Sequence, residues 1–184
     1  KMGYAIAKVA MLRGAKVILI SGRTSVEKPP FVEVIDVASA QDMFDAVAAH
    51  CEEADFIFKA AAVADYTPAN YSDNKMKKKD EDMAIPLKRT QDILKYLGEH
   101  RVPGQVICGF SMETKDMLEN SRRKLVQKNL DMIVANNLKE EGAGFGVDTN
   151  KVTFLYKDGT KKHLPLLSKQ EVADAIIDAI IERL

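Results

Sequence analysis

Several stretches of the sequence combine residue types that can do chemistry. Lys75–Lys79 reads KMKKK inside DNKMKKKDED. A movable flap of this kind can lay one or two ammonium groups on a polyphosphate. The same run also fits a solvated surface on which Asp73, Asp80, Glu81 and Asp82 cancel the charge, or a weak nucleic-acid patch. Lys124 and Lys128 are four residues apart and share one helix face, where they either act together on an anion or face solvent. Ala60–Tyr66 reads AAAVADY. Its small side chains let a ligand approach the backbone, and Asp65 adds a carboxylate at the mouth; tight packing followed by a turn aspartate is the plainer alternative. Phe110 ends an apolar run ahead of Ser111-Met112-Glu113, where its ring can stack on a base or join the core.

These residues need elements to position them. Met2, Ala5, Ile6 and Val9 form the apolar stripe of a helix that stops at Gly14. That helix has neither a cap nor a preceding strand, so a first strand is expected upstream of Lys1. Lys16–Ile20 and Phe31–Val37 read as strands, and Ser39 with Asp42 caps a helix carrying Phe44, Val47, Ala48 and Cys51. Asp55–Ala62 reads as a buried strand. Thr90 is placed to cap a short helix with Ile93, Leu94 and Leu97, closed by Gly98. Gln105–Phe110, a helix over Lys115–Asn129 and the strand Asp131–Ala135 follow.

Strands alternating with helices predict a three-layer α/β/α fold around a mostly parallel, Rossmann-like sheet. The tail differs: Val152–Tyr156 and Lys162–Pro165 flank Asp158-Gly159, a hairpin signal, and Ser168 with Glu171 opens a last helix. One domain over residues 1–184 is expected, lacking its N-terminal strand. Tyr66–Asp82 and Asn136–Asn150 read as long loops, the kind that carry function.

Composition bounds the function. Lys and Arg total 27 and Asp and Glu total 27, so no net field draws nucleic acid or anionic membrane. The two cysteines, Cys51 and Cys108, match neither a metal spacing nor a disulfide framework, which fits a reducing cytoplasm. No G-x-G-x-x-G follows a strand, and no P-loop or G-x-S-x-G occurs. Gly142–Gly146 follows KEE rather than a strand and reads as a loop. His50, His100 and His163 have no partner pattern that marks them as catalytic, and Cys108 reads as a packing residue.

KMG at the start, AAAVADY, KMKK, QDIL, GFSMET and KLVQKNLDMIVANN follow one another in a fixed order. Together they resemble the phosphopantothenoylcysteine synthetases (phosphopantothenate–cysteine ligases) of the bacterial, CTP-using type, over essentially the whole chain. The resemblance implies a ligase that activates the carboxylate of 4′-phosphopantothenate with CTP. The resulting acyl-cytidylate is then opened by the amine of L-cysteine, with loss of CMP. It further implies Mg2+, a homodimer with phosphopantothenate bound near the partner subunit, and fusion to an upstream FMN-dependent decarboxylase.

By the same resemblance, the nucleotide site takes Ala60, Ala61, Asp65, Lys75, the turn Gln91, Asp92, Ile93 and Leu94, and also Phe110, Lys124 and Lys128. Lys75 is the catalytic candidate, facing the leaving phosphates, while the turn after Thr90 offers helix N-terminal amides to phosphate. Asp65 and Asp92 are the carboxylates for metal or ribose. Gln91 stands where the family usually has proline, and the family's acyl-cytidylate-steadying asparagine falls upstream of Lys1, so turnover by this chain is expected to be impaired. A nicotinamide-dependent oxidoreductase shares the α/β rhythm, but its glycine fingerprint is missing from these residues.

Overall fold

The computed structural model describes residues 1–70, 72, 74–75, 83–113, 116–137 and 146–182, with the side chains of Glu113 and Asn137 excepted. The chain opens with α1 (Met2–Leu12) and runs through β1 (Ile18–Ser21) and β2 (Glu33–Asp36) to α2 (Ala40–His50). Next come β3 (Phe56–Lys59), β4 (Tyr66–Pro68), β5 (Leu87–Arg89) and α3 (Ile93–Glu99). β6 (Val106–Glu113), α4 (Met117–Gln127) and β7 (Met132–Asn137) follow. The chain finishes with β8 (Thr149–Asn150), β9 (Val152–Tyr156), β10 (Lys161–His163), β11 (Leu167–Ser168) and α5 (Lys169–Ile181).

The central sheet has the order β10-β9-β7-β6-β3. β3, β6 and β7 are mutually parallel, whereas β9 and β10 join antiparallel, as the Asp158-Gly159 hairpin requires. Gly159 takes φ +85°, the left-handed conformation that a tight hairpin turn uses. β1 and β2 form a separate parallel pair. Side chains alternate across the sheet, which makes three layers. Cys108, Met132, Val134 and Phe154 meet α1 and α5 through Ile6, Val9, Val172 and Ile176. Ile107, Ile133 and Leu155 meet α2, α3 and α4 through Met43, Leu94, Leu97 and Leu125. Each such fully buried aliphatic side chain contributes roughly 1.5–3 kcal/mol.

Capping follows the sequence reading at two helices. Ser39 with Asp42, and Ser168 with Glu171, each form a complete capping box. α3 departs from it: its cap is Asp92, whose carboxylate accepts from the Lys95 amide, two residues past Thr90. Thr90 is drawn away because its hydroxyl donates to the Ala64 carbonyl at 2.6 Å.

The stretch after Tyr66 is not simply a loop. β4 pairs antiparallel with β5, Tyr66 opposite Arg89, as a two-stranded ribbon; its polar, unalternating sequence hid it. The strand expected over Asp55–Ala62 stops at Lys59, because three alanines supply too little side-chain area to hold a strand there. β6 runs on to Glu113 and β7 to Asn137, past their expected ends. The helix expected over Lys115–Asn129 is α4, shorter at both ends. The second part of Asn136–Asn150 is likewise partly ordered as a strand, β8 pairing with β11. Residues 76–82, 138–145 and most of Gly142–Gly146 lie outside the described residues.

Candidate functional site

Parallel strands deliver their last residues to one edge, the place where open α/β sheets bind ligands. β3 ends there at Lys59, level with Gly109 of β6. Strand alternation puts Lys59 on the same face as Ile57, the face covered by α2, α3 and α4. Its Nζ donates to the Ala61 carbonyl at 2.9 Å, which ties down the small-residue turn that follows.

Asp92 is the junction of the site. One carboxylate oxygen accepts from the Lys95 amide at 3.0 Å, and the other meets the Lys128 ammonium at 2.8 Å. Burial pushes the Asp92 carboxyl up, but Lys128, the Lys95 amide and Lys59 outweigh that and hold it below the usual carboxylate value. Lys128 reaches Asp92 because α3 and α4 touch at Gly98, where a Cβ would lie 1.9 Å from the Lys128 carbonyl oxygen. Any larger residue would drive the two helices apart. Lys124 sits one turn earlier, on α4 and partly buried, and Lys128 is the residue that closes that helix.

Lys59 lies in the field of all these groups. Its ammonium is pushed below the usual lysine value, first by burial and then by Lys128, with Lys124 adding to them and Asp92 and Asp65 opposing. Asp65 itself is exposed. Its backbone is pinned by the Thr90 amide, which donates to the Asp65 carbonyl at 3.0 Å, while its carboxylate has no hydrogen-bond or ion-pair partner among the described residues.

The other expected site residues divide. Ala61 and Gln91 are exposed, and Ala60 is half-buried, in van der Waals range of the position a Cβ on Gly3 would take. Ile93 and Leu94 are buried in the core, so only their backbone is left to a ligand. Phe110 packs on the opposite face of the sheet from the lysines, partly buried against the α1–α5 core. Lys75 is exposed and makes no hydrogen bond or ion pair with any described residue; the remainder of KMKKK falls outside them.

Two residues escaped the sequence reading. Lys59 was signalled only as a charge inside the apolar run DFIFKAAA. Asn136, near the end of β7, is 5% exposed, and its side-chain oxygen has no hydrogen-bond partner among the described residues. Its signal was a polar pair closing an apolar strand.

The three histidines have partners close by. His50 pairs with Glu53, His100 stacks on Tyr96, and His163 meets the Thr153 hydroxyl. Burial pushes the Cys108 thiol far up, and the nearby Asp131 carboxylate adds to it. Among the described residues no group of three or more His, Cys, Asp or Glu side chains is placed to hold a metal ion.

Three comparisons bear on this geometry. The chain is 51% identical over 181 residues to the coenzyme A biosynthesis bifunctional protein CoaBC of Bacillus subtilis (strain 168), a match covering 98% of this chain and 44% of that protein. It thus spans about half the length of the curated relatives it matches. It superposes on the crystal structure of the C-terminal domain of a CoaBC protein with TM-score 0.81 and 44% identity, covering 97% of this chain and 80% of that one. A Cab2 variant in complex with phosphopantothenate-cysteine shares the fold at TM-score 0.76 and 15% identity, over 100% of this chain and 77% of the other. The family model of the DNA/pantothenate metabolism flavoprotein C-terminal domain matches residues 1–184. The match of the family model over the whole chain, together with relatives of this closeness and a mostly parallel sheet with a lysine-rich carboxyl edge, places the chain in the DNA/pantothenate metabolism flavoprotein C-terminal domain family.

Proposed function

We propose that this chain is the phosphopantothenate–cysteine ligase unit of a coenzyme A biosynthesis protein, driven by CTP. The observation that carries the reading is the cluster at the carboxyl edge, where Lys59, Lys124 and Lys128 outnumber Asp65 and Asp92 beside the Ala60–Ala62 turn. A polyanion is the ligand such an edge suits.

The chemistry has two steps. A carboxylate oxygen of 4′-phosphopantothenate attacks the α-phosphorus of CTP, and the bond to pyrophosphate breaks. The cysteine amine then attacks the activated carbonyl, loses a proton, and expels CMP. No enzyme nucleophile is needed, since the phosphate ester is itself the good leaving group. Lys124 and Lys128 neutralise charge gathering on the phosphates, and the tethered Ala61 backbone orients the substrate. Lys75 is the catalytic residue of this reading, brought in on its loop to meet the leaving pyrophosphate.

Mg2+ would supply charge neutralisation to the phosphates and would need only one or two carboxylates from the protein. Asp65 fits that demand, because its carboxylate is exposed and without a side-chain partner among the described residues. Asp92, held by Lys128 and the α3 amide, positions the lysine instead. Phe110, on the α1–α5 face of the sheet, is the base-stacking residue of this reading.

Homodimer formation belongs to the same reading. Tyr66 and Leu87 on the β4–β5 ribbon, with Met83 and Ile85 in the segment leading into β5, are each more than half exposed, an apolar surface that a second copy would cover. An FMN-dependent decarboxylase fused upstream and a cytoplasmic location complete it.

The test is calorimetry and thermal shift with CTP, ATP and NAD. CTP with Mg2+ raises the melting temperature, and replacing both Lys124 and Lys128 by alanine weakens CTP binding at least tenfold. Wild-type affinity in that double variant, or stabilisation by NAD alone, overturns the assignment.

A further inference from the structure

Lys59 is unlike the other buried-edge cations. Lys128 has Asp92 at 2.8 Å, and at the opposite edge of the sheet Arg101 has Asp131 at 2.9 Å. Lys59 has no carboxylate at ion-pair distance among the described residues; its hydrogen bond goes to the neutral Ala61 carbonyl. Two further ammonium groups, Lys128 and Lys124, repel it. A partly buried charge in this setting costs folding free energy, because no counter-ion among the described residues repays its desolvation. An apolar residue of the same length would pack there at lower cost, and Ile57 on the same strand face does so.

We propose that Lys59 is a further substrate-binding residue, whose missing counter-charge is the polyphosphate of the nucleoside triphosphate. The inference rests on the site assignment made above and adds a residue to it. In the free protein the Ala61 carbonyl holds the ammonium. When a triphosphate arrives, three lysines from β3 and α4 surround it, and the cost of burying Lys59 is recovered. Pairing through charge makes the effect depend on the number of phosphates. A triphosphate feels Lys59 strongly, and the monophosphate product feels it weakly, which favours product departure.

The experiment compares wild type with Lys59→Met and Lys59→Arg for binding of CTP, CMP and inorganic tripolyphosphate by calorimetry, with melting temperatures measured free of ligand. Lys59→Met is expected to melt a few degrees higher than wild type. Its affinity for CTP and tripolyphosphate falls about tenfold while that for CMP changes less than twofold, and Lys59→Arg restores triphosphate binding. Unchanged triphosphate affinity in Lys59→Met, an equal loss for CMP, or a variant that melts lower or fails to fold overturns the proposal. Wild-type protein that binds tripolyphosphate but not CTP overturns the nucleotide assignment and leaves Lys59 to be judged on tripolyphosphate. Wild-type protein that binds neither overturns both.

Discussion

The two edges of the central sheet handle charge in opposite ways. At the amino edge, Arg101 meets Asp131 through two nitrogens, and Asp131 also accepts from the Ile107 amide at 2.8 Å. Nearby, the buried Gln105 side chain donates to the carbonyls of Cys51 and Ala54, both at 2.6 Å. Each polar group there is answered within the protein. At the carboxyl edge, among the described residues, Lys59 has only a carbonyl as hydrogen-bond partner, and the Asp65 carboxylate and the Asn136 side-chain oxygen have none. One edge is closed for stability, and the other, on the function proposed above, holds charges that a ligand completes.

The sharpest way to break this contrast is Asp131→Ala. It strands Arg101 and the Ile107 amide together, and because the pair keeps some solvent contact the expected loss is about 2 kcal/mol, below that of a fully buried pair. Urea unfolding should show that loss while CTP affinity holds. A parallel loss of CTP affinity would mean that the two edges are not separate.

Gly98→Ala comes next and joins the edges. Overpacking against the Lys128 carbonyl costs roughly 1–3 kcal/mol and shifts α4, so stability and triphosphate binding should fall together. Full binding in a destabilised variant would show that Lys128 does not depend on that contact.

The smallest effect is in pH. Burial, then Lys128, lowers the proton affinity of Lys59 in the folded state. The unfolded chain therefore holds that proton to higher pH, and folding stability contributed by this group rises as pH climbs toward the ordinary lysine value of about 10.4. The stability advantage of Lys59→Met over wild type should be full at neutral pH and shrink in that alkaline range. An advantage independent of pH would rule out charge as its origin.

Much of this was legible before folding. The capping boxes at Ser39 and Ser168, the stripe of α1 and the Asp158-Gly159 hairpin depend on neighbours within a few residues, and such signals survive in a linear reading. Asp65, Lys124 and Lys128 stood out by type and spacing. Asp92 as the cap of α3 was misread as Thr90, because the Thr90 hydroxyl is claimed by Ala64, 26 residues away. The β4–β5 ribbon escaped because its strands are three residues long and separated by 18 others.

Local periodicity was enough to predict the α/β class and the three-layer arrangement, since these depend on residue type and short spacing. Which charges are paired and which are left open was decided only on folding. That outcome depends on contacts such as Gly98 with Lys128 and Lys128 with Asp92, between residues some thirty positions apart. A side chain's charge is written in the chain, but its counter-charge is a matter of distance in space.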